Sequence, residues 1–184
     1  MTTQADLPGA LAGAASGAAL HAAPRAPLDR AWIAAHIPHS GAMCLLDAVE
    51  SWDDARIVCT ATSHRDPRNP LRSRGRLAAV CGVEYAAQAM AVHGALLVPL
   101  RVPSNGAGDG ATAARPRVGY LASVRNVEAR IERLDTLDTA LSIEATRESG
   151  SGNSILYSFA VRGGERVLLT GRAAVMLDAS AAIR

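Results

Sequence analysis

One carboxylate in this sequence lies within an otherwise apolar run, at Glu84. It follows Val80 by four residues and precedes Ala87 by three, so a helix through this run would present all three on one face. Burial disfavours the ionised carboxylate, and we expect the pKa of Glu84 to be raised toward neutrality, where it can exchange protons in catalysis. The alternative is a structural role, in which Glu84 binds a backbone amide or an arginine and orients the helix.

An imidazole, His39, is the second group suited to proton chemistry. It follows Pro38 and is followed two residues later by Gly41, so it lies where a proline ends one element and a glycine turn begins the next. A histidine titrates near neutral pH and can act as a base or an acid. The alternative is a loop histidine that binds local backbone. Two other histidines are weaker candidates, which we expect at the surface or at an interface: His64 and His93.

Several common catalytic and ligand-binding motifs are absent from the sequence. No serine lies in a Gly-x-Ser-x-Gly elbow, which argues against a serine hydrolase. Neither a Gly-x-Gly-x-x-Gly run after a strand nor a Walker loop is present, which excludes the commonest nucleotide sites. A basic cluster precedes the apolar run and is either a solvated loop or a contact for an acidic or phosphorylated partner. Its members are Arg65, Arg68, Arg72, Arg74 and Arg76.

Composition is typical of a globular protein, since 49% of the 184 residues are hydrophobic and 20% are charged. The formal net charge of +2 is small and dispersed, which argues against binding to the phosphate backbone of a nucleic acid. The three cysteines lack CxxC spacing and favour reduced thiols in a cytoplasmic protein over disulfides or a zinc site. No apolar run is long enough to predict a membrane span.

The chain is expected to form one domain with two helices. We predict a flexible Ala/Gly-rich tail at residues 1–28, the domain at 29–178 and a C-terminal tail at 179–184. Residues 28–37 predict a short helix, and residues 77–97 predict a long one. The apolar face predicted for the long helix consists of Val80, Val83, Ala87, Met90, Ala91 and Gly94.

Strand patterns surround the long helix on both sides. Residues 43–49 and 55–62 predict a hairpin before it, and a mobile loop is expected at 103–116 after it. Segments of period two then follow with hairpin-type connections, which predicts an antiparallel meander. These segments are 127–131, 141–146, 155–161 and 166–177. A single sheet wrapped around the long helix is the economical packing, which predicts an α+β protein with the hotdog architecture.

Two motifs resemble those of a known family. The run IPHSGAMCLLDAV at residues 37–49 resembles the Leu-Pro-His-x-x-Pro-Met-x-Leu-Leu-Asp-x-Val opening of hotdog-fold 3-hydroxyacyl-[acyl-carrier-protein] dehydratases. The run VEYAAQAMA at 83–91 resembles their helix motif Glu-x-x-Ala-Gln-x-x-Ala. The likeness extends from residue 37 to 177 and is strongest to a dehydratase subfamily linked to aryl-polyene-type lipid gene clusters.

This resemblance implies that the chain dehydrates a 3-hydroxyacyl thioester to a trans-2-enoyl product. It implies that His39 removes the Cα proton and that Glu84 holds or protonates the leaving hydroxyl; in hotdog dimers two such groups can come from different subunits. The candidate substrate-binding residues are Gln88, Gly82 and Tyr85. Gln88 would orient Glu84 or bind a carbonyl, and amides near Gly82 would polarise the thioester. No metal or bound cofactor is implied, since the acyl group would arrive on phosphopantetheine.

The sequence also departs from the family pattern. Housekeeping dehydratases carry a histidine in a Gly-His-Phe-Pro-Gly-x-Pro stretch before the helix, whereas residues 69–75 here read NPLRSRG. This difference favours an alternative, a catalytically silent hotdog partner in a heteromer. A further alternative is a thioesterase in which Glu84 activates water. The expected partners are an acyl carrier protein or coenzyme A thioester, which the basic cluster would contact, and a second hotdog subunit in a homodimer or heteromer.

Overall fold

The computed structural model describes residues 28–97, 119–151 and 153–177. Two parts of the predicted tails, residues 1–27 and 179–184, and the expected mobile loop at 103–116 lie outside the described residues. The helices are α1 (Arg30–His36) and α2 (Gly82–Leu97). The strands are β1 (Ala48–Trp52), β2 (Arg56–Ala61), β3 (Gly119–Ala129), β4 (Leu141–Ser151), β5 (Ser154–Gly163) and β6 (Arg166–Leu177).

The strands of the described residues form one antiparallel sheet in the order β1-β2-β4-β5-β6-β3. Strands β2, β4 and β5 pack against α2 through side chains that alternate along each strand. The buried set includes Ile57, Cys59, Leu141, Ile143, Tyr157, Phe159 and Val161. The period-two patterns therefore correctly predicted which face of these strands is covered by the helix.

The predicted hairpin before α2 is confirmed, but its first strand is Ala48–Trp52 and not the predicted 43–49, because residues 41–43 form a 3-10 turn. Strand β1 pairs with β2 in antiparallel register, and the turn between them is held by the Asp53 side chain. Its Oδ1 atom accepts hydrogen bonds from the backbone amides of Ala55 and Arg56, both at 2.8 Å. The short helix is confirmed as well, since Asp29 caps α1 by accepting a 2.9 Å hydrogen bond from the amide of Trp32.

The predicted four-strand meander is wrong in one strand. Strands β4, β5 and β6 are consecutive neighbours, but β3 pairs with β6 at the far edge of the sheet. The connection at residues 130–140 is too long for a tight hairpin, and it buries Leu134 and pairs Arg133 with Ala78. This segment pairs with residues 77–79, which lead into α2, and β3 lies at the edge of the sheet next to β6.

The predicted apolar face of α2 is also wrong. Val80 is 60% exposed, and four of the other five members of that face are only half-buried. The face that packs on the sheet is rotated and contains Tyr85, Ala86, Ala89, Val92, His93 and Leu96. Because alanine and glycine make up seven of the sixteen residues of α2, hydrophobic periodicity did not distinguish the two faces.

His64 and His93 are buried, which corrects the expectation that they lie at the surface. His93 Nε2 lies 2.8 Å from the Asp53 carbonyl oxygen, which only accepts, so Nε2 carries the proton. Its Nδ1 then accepts from the Tyr157 hydroxyl at 3.0 Å. His64 Nε2 donates to the Leu137 carbonyl at 3.2 Å. Both rings are held in the neutral form, because a charged imidazole is poorly solvated there.

These two histidines predict acid sensitivity of the fold. Burial lowers the pKa of His64 and of His93 below the ordinary value of 6.5, although nearby Asp53 and Asp54 oppose the shift at His93. The unfolded chain then binds more protons, so stability declines as pH falls below 6.5, by at most about 1.4 kcal/mol per pH unit for each histidine. Urea unfolding between pH 5 and 7.5 measures this slope.

A His93→Gln variant tests the assignment of this slope. The free energy of unfolding of this variant should depend less steeply on pH than that of the unmodified chain, since glutamine does not titrate. His36→Gln, at an exposed position on α1, serves as the control and should retain the full slope. Equal slopes in the unmodified chain and in both variants would contradict the prediction.

Candidate active site

The loop that carries His39 is shaped by its neighbours. Helix α1 ends at His36, and Pro38 follows within two residues. Gly41 adopts a φ of +57°, a left-handed conformation that other residues rarely adopt, and it begins a single 3-10 turn at Gly41–Met43. This turn reverses the chain, so that the His39 side chain is directed toward α2.

Glu84 lies in the first turn of α2 and faces this loop. Its Oε1 atom is 3.1 Å from Nε2 of His39, and both side chains are partly accessible, at 30% and 28% exposure. The two residues predicted to do proton chemistry are therefore brought together within one chain, across 45 positions of sequence. Glu84 is not buried as deeply as its place in the apolar run predicted, because the face that carries it is directed away from the sheet.

Gln88 lies one turn further along α2 and is fully buried. Its Oε1 accepts a 2.9 Å hydrogen bond from the Leu45 amide, and its Nε2 donates to the Met43 carbonyl at 2.8 Å and to Glu84 Oε1 at 3.0 Å. The side-chain amide of Gln88 therefore binds both the loop that follows His39 and the Glu84 carboxylate, which contacts His39. The prediction that Gln88 orients Glu84 agrees with these contacts, and all of its polar atoms are used in them.

The ring nitrogens of His39 have different surroundings. Nε2 faces Glu84, whereas Nδ1 is buried and has no hydrogen-bond partner among the described residues. Proton exchange by this imidazole is therefore expected at Nε2, the nitrogen that a carboxylate already contacts.

The other two candidate substrate-binding residues have structural contacts. The Gly82 amide donates to the carbonyls of Ala79 and Val80, and a Cβ atom there would lie 2.7 Å from Leu169 Cδ2. Glycine at this position thus allows α2 to approach β6 closely. Tyr85 is fully buried, and its hydroxyl is hydrogen-bonded by Ser63 and Asn69. The Gly82 amide and the Tyr85 hydroxyl are thus already hydrogen-bonded within the protein. A substrate role for either residue stays a prediction.

The basic cluster divides into internal and surface arginines. The guanidinium of Arg72 binds the Asp135 carboxylate at 3.1 Å and four backbone carbonyls. Arg68 is 87% exposed and pairs with Asp66. The remaining three, Arg65, Arg74 and Arg76, are exposed and form no ion pair with the described residues. Sequence reasoning missed Asp135 as the anchor of this loop, since no local pattern links positions 72 and 135.

A pocket of about 510 Å³ lies beside the His39 loop. Its lining includes Gly41 and Ala42 from that loop, but neither His39 nor Glu84. Across the described residues, no group of three or more His, Cys, Asp or Glu side chains is arranged to hold a metal ion. No helix in the described ranges is long and apolar enough to cross a membrane.

Comparison with known proteins identifies a family and a fold. Residues 31–183 match the model of the ApeP-like family, described as ApeP dehydratase. No curated protein sequence matches the chain. Among solved structures, the dehydratase heterocomplex ApeI:P from Xenorhabdus doucetiae is similar with a TM-score of 0.65 and 21% identity, over 81% of this chain and 92% of that one. The predicted α+β hotdog fold is thereby confirmed.

More distant structural neighbours include two further bacterial proteins. A thioesterase from Pseudomonas aeruginosa has a TM-score of 0.47 and 13% identity, over 71% of this chain and 79% of that one. The PaaI protein of the E. coli phenylacetic acid degradation operon has a TM-score of 0.48 and 9% identity, over 70% and 80%.

Proposed function

Because the chain belongs to the ApeP-like dehydratase family, we propose that it removes water from a 3-hydroxyacyl thioester and forms the trans-2-enoyl product. The observation that carries this proposal is the 3.1 Å contact between His39 Nε2 and Glu84 Oε1. Dehydration needs a base for the Cα proton and an acid for the leaving hydroxyl, and one imidazole and one carboxyl group supply both. The acyl group is proposed to arrive on the phosphopantetheine of a carrier protein or of coenzyme A.

In the proposed step, His39 takes up one proton and Glu84 gives up one. Nε2 of His39 takes the Cα proton, the electron pair forms the double bond, and the C–O bond breaks as the Glu84 carboxyl group gives its proton to the hydroxyl, which leaves as water. The pair is then imidazolium and carboxylate in direct contact, and proton transfer across that contact restores both groups. Because the two atoms are adjacent, they favour removal of hydrogen and hydroxyl from the same face of the substrate.

Assembly with a second hotdog subunit is part of the proposal. Strand β3 pairs only with β6 among the described strands, and it exposes Tyr120, Leu121 and Val127 along the free edge of the sheet. An apolar edge strand of this length favours pairing with another chain. The structural relative described as a heterocomplex supports a heteromer, with a homodimer as the alternative.

The same relative favours a second candidate function, that of a non-catalytic partner in such a heteromer. The deciding experiment incubates the purified chain with a 3-hydroxyacyl thioester, alone and with a second hotdog subunit, and follows enoyl absorbance and free thiol. Enoyl formation that depends on His39 and Glu84 supports the dehydratase. Enoyl formation that needs the second subunit and ignores both residues supports the non-catalytic partner, and release of thiol without enoyl product indicates a thioesterase.

A cytoplasmic location belongs to the same proposal. It is supported by the three cysteines, Cys44, Cys59 and Cys81, which are all unpaired. Burial raises the pKa of Cys59 to about 12, so this thiol stays protonated and unreactive at neutral pH.

Gln88 is proposed as a positioning residue for the pair. Gln88→Met keeps the size of the side chain but removes the hydrogen bonds to Glu84, Met43 and Leu45. We expect kcat to fall by about 10- to 100-fold, because small displacements of reacting groups are costly. The pH–rate profile should be displaced as well, since the carboxylate loses a donor.

His93→Gln provides a matched control for Gln88→Met. It alters a buried polar residue on the same helix at a position directed away from the pair, and kcat should be unchanged. A Gln88→Met variant with normal kcat and an unaltered pH profile would show that the amide serves stability alone.

A further inference from the structure

The hydroxyl group of Tyr85 lies inside the protein, where three polar side chains meet. Tyr85 is fully buried and Asn69 is 6% exposed, while Ser63 is half-buried in the single 3-10 turn that follows β2. The Tyr85 hydroxyl lies 3.0 Å from Ser63 Oγ and 2.9 Å from Asn69 Nδ2. A polar cluster at this depth is stable only when its atoms are hydrogen-bonded, and these three side chains meet that requirement among themselves and with the backbone.

The hydrogen bonds of this cluster run in one direction. The Leu45 carbonyl oxygen only accepts, so the Ser63 hydroxyl donates its single proton to it, at 2.7 Å. Ser63 Oγ therefore accepts from the Tyr85 hydroxyl, and the Tyr85 oxygen accepts in turn from the Asn69 amide. Burial raises the pKa of Tyr85 above its ordinary value of 10.0, against the opposing effect of the hydrogen bonds with Ser63 and Asn69. The Tyr85 hydroxyl therefore carries its proton at neutral pH.

The donor end of this chain of hydrogen bonds is Asn69, in the stretch that departs from the family pattern. The second proton of the Asn69 amide is donated to the Ser63 carbonyl at 2.9 Å, and its Oδ1 accepts from the Leu71 amide at 3.0 Å. Both protons and the oxygen of this side-chain amide are thus used within the protein. The loop that begins at residue 69 is thereby tied to α2 through Tyr85.

The acceptor end of the chain of hydrogen bonds is the segment that follows His39. Leu45 is held on both sides, since its amide donates to Gln88 Oε1 at 2.9 Å and its carbonyl accepts from Ser63. Gln88 therefore holds this segment from one side, and Ser63, which is itself bound by Tyr85, holds it from the other.

Tyr85 also affects Glu84, because both residues lie in the first turn of α2. They are consecutive, so their side chains project from the helix about 100° apart. Tyr85 packs in the core, while Glu84 is directed toward His39. A hydrogen bond that fixes the Tyr85 ring also fixes the rotation of this turn about the helix axis, and with it the direction of Glu84. One hydroxyl group thus connects the turn that carries the carboxylate to the loop that carries the imidazole.

We propose that the Tyr85 hydroxyl is a positioning group which, through Ser63, sets the distance between His39 and Glu84. It contacts neither of the two reacting side chains, and it acts by holding the loop and the helix turn in one relative position. This proposal rests on the proposed function, and it gives Tyr85 a role other than the predicted contact with substrate.

Tyr85→Phe tests the proposal, because it removes the hydroxyl group and leaves the ring in the core. We expect kcat for enoyl formation to fall roughly tenfold and KM to change by less than about twofold, since displacement of the reacting groups slows the chemical step. The assay uses the full chain, with the second hotdog subunit where turnover needs it.

Variants of Ser63 test the next link in the same chain of hydrogen bonds. Ser63→Ala should lower kcat to a similar extent, whereas Ser63→Thr keeps a hydroxyl group and should retain most of the rate. A double variant that combines Tyr85→Phe with Ser63→Ala should lose little more than either alone, because both changes interrupt one chain. Ser63→Ala removes only a half-buried hydroxyl group, so the comparison with Ser63→Thr decides the question even where Tyr85→Phe does not fold.

Tyr157→Phe is the matched control. It removes the hydroxyl group of another deeply buried tyrosine, which is bound to His93 toward the other end of α2, and kcat should be unchanged. The proposal is overturned if Tyr85→Phe retains its kcat, if Tyr157→Phe loses as much, or if the effects of Tyr85→Phe and Ser63→Ala multiply in the double variant.

A measurement without turnover separates this proposal from the proposed function. Absence of enoyl product from the unmodified chain, alone and with a second hotdog subunit, would contradict the proposed function. The proton NMR resonance of the His39 ring, assigned by its loss in His39→Asn, would then decide the role of Tyr85. This resonance should move in Tyr85→Phe and in Ser63→Ala and stay in place in Tyr157→Phe. An unmoved resonance in the first two variants would overturn the positioning role.

Discussion

Replacement of Glu84 by glutamine is expected to reduce enoyl formation from a 3-hydroxyacyl thioester by at least about 100-fold, the usual contribution of a general acid or base. Glutamine keeps the size of the side chain and can still accept from Gln88, so the fold should remain intact. It cannot supply the carboxyl proton to the leaving hydroxyl. Initial rates of enoyl absorbance, measured at saturating substrate, give the effect on kcat directly.

A double variant that combines His39→Asn with Glu84→Gln strengthens this test. His39→Asn alone should lose about as much activity as Glu84→Gln. The double variant should lose little more, because the effects of replacing residues that act as a unit are not additive. Glu165→Gln, which neutralises an exposed carboxylate between β5 and β6, is the matched control and should retain full activity. If Glu84→Gln keeps more than about a third of the rate, the 3.1 Å contact is structural and the dehydratase proposal for this pair is wrong.

Replacement of Arg72 by leucine is expected to destabilise the protein by about 3 kcal/mol, in the range for loss of one partner of a buried ion pair. Asp135 is only 5% exposed, and the carbonyls that Arg72 contacts would lose their donor. Arg133 still pairs with Asp135, which keeps the loss below the upper end of that range. Urea unfolding at pH 7 measures the change in the free energy of unfolding.

Two further variants separate charge from geometry at this site. Arg72→Lys keeps the charge but has fewer, differently directed donors, so it should recover only part of the lost stability. Arg68→Met, on the same loop but largely exposed, should change the free energy of unfolding by no more than about 0.5 kcal/mol. A loss below about 1 kcal/mol in Arg72→Leu would show that the loop is held by other contacts.

Acid should weaken the same cluster. Hydrogen bonds from Arg133 and from the Leu77 amide hold the pKa of Asp135 well below its usual range, although its burial acts in the opposite direction. The unfolded chain therefore takes up a proton near pH 3.8 before the folded chain does, and stability falls as pH is lowered through that region. The loss of stability due to Asp135 occurs at a lower pH than the loss due to the buried histidines. Urea unfolding measured across the whole pH range therefore separates the two contributions.

Local patterns predicted most of the elements and the pair at the site. The period-two segments became β4, β5 and β6, and Asp53 and Asp29 make the turn and cap contacts expected of their residue types. The motifs around His39 and Glu84 correctly indicated two residues that meet. The place of β3 was not predictable, because alternation marks a strand but says nothing about which neighbour it pairs with.

The sequence by itself determined which candidate residues carry a carboxyl group or an imidazole, where most strands and helices form, and that a long helix lies against a sheet. Only the tertiary structure decided which face of that helix is covered, because alanine and glycine fit against a sheet on any side. It also decided that Gln88 binds the loop after His39, and that the Arg72 side chain is mostly buried while Arg74 is exposed. Such assignments depend on contacts between residues far apart in the chain, which no local spacing encodes.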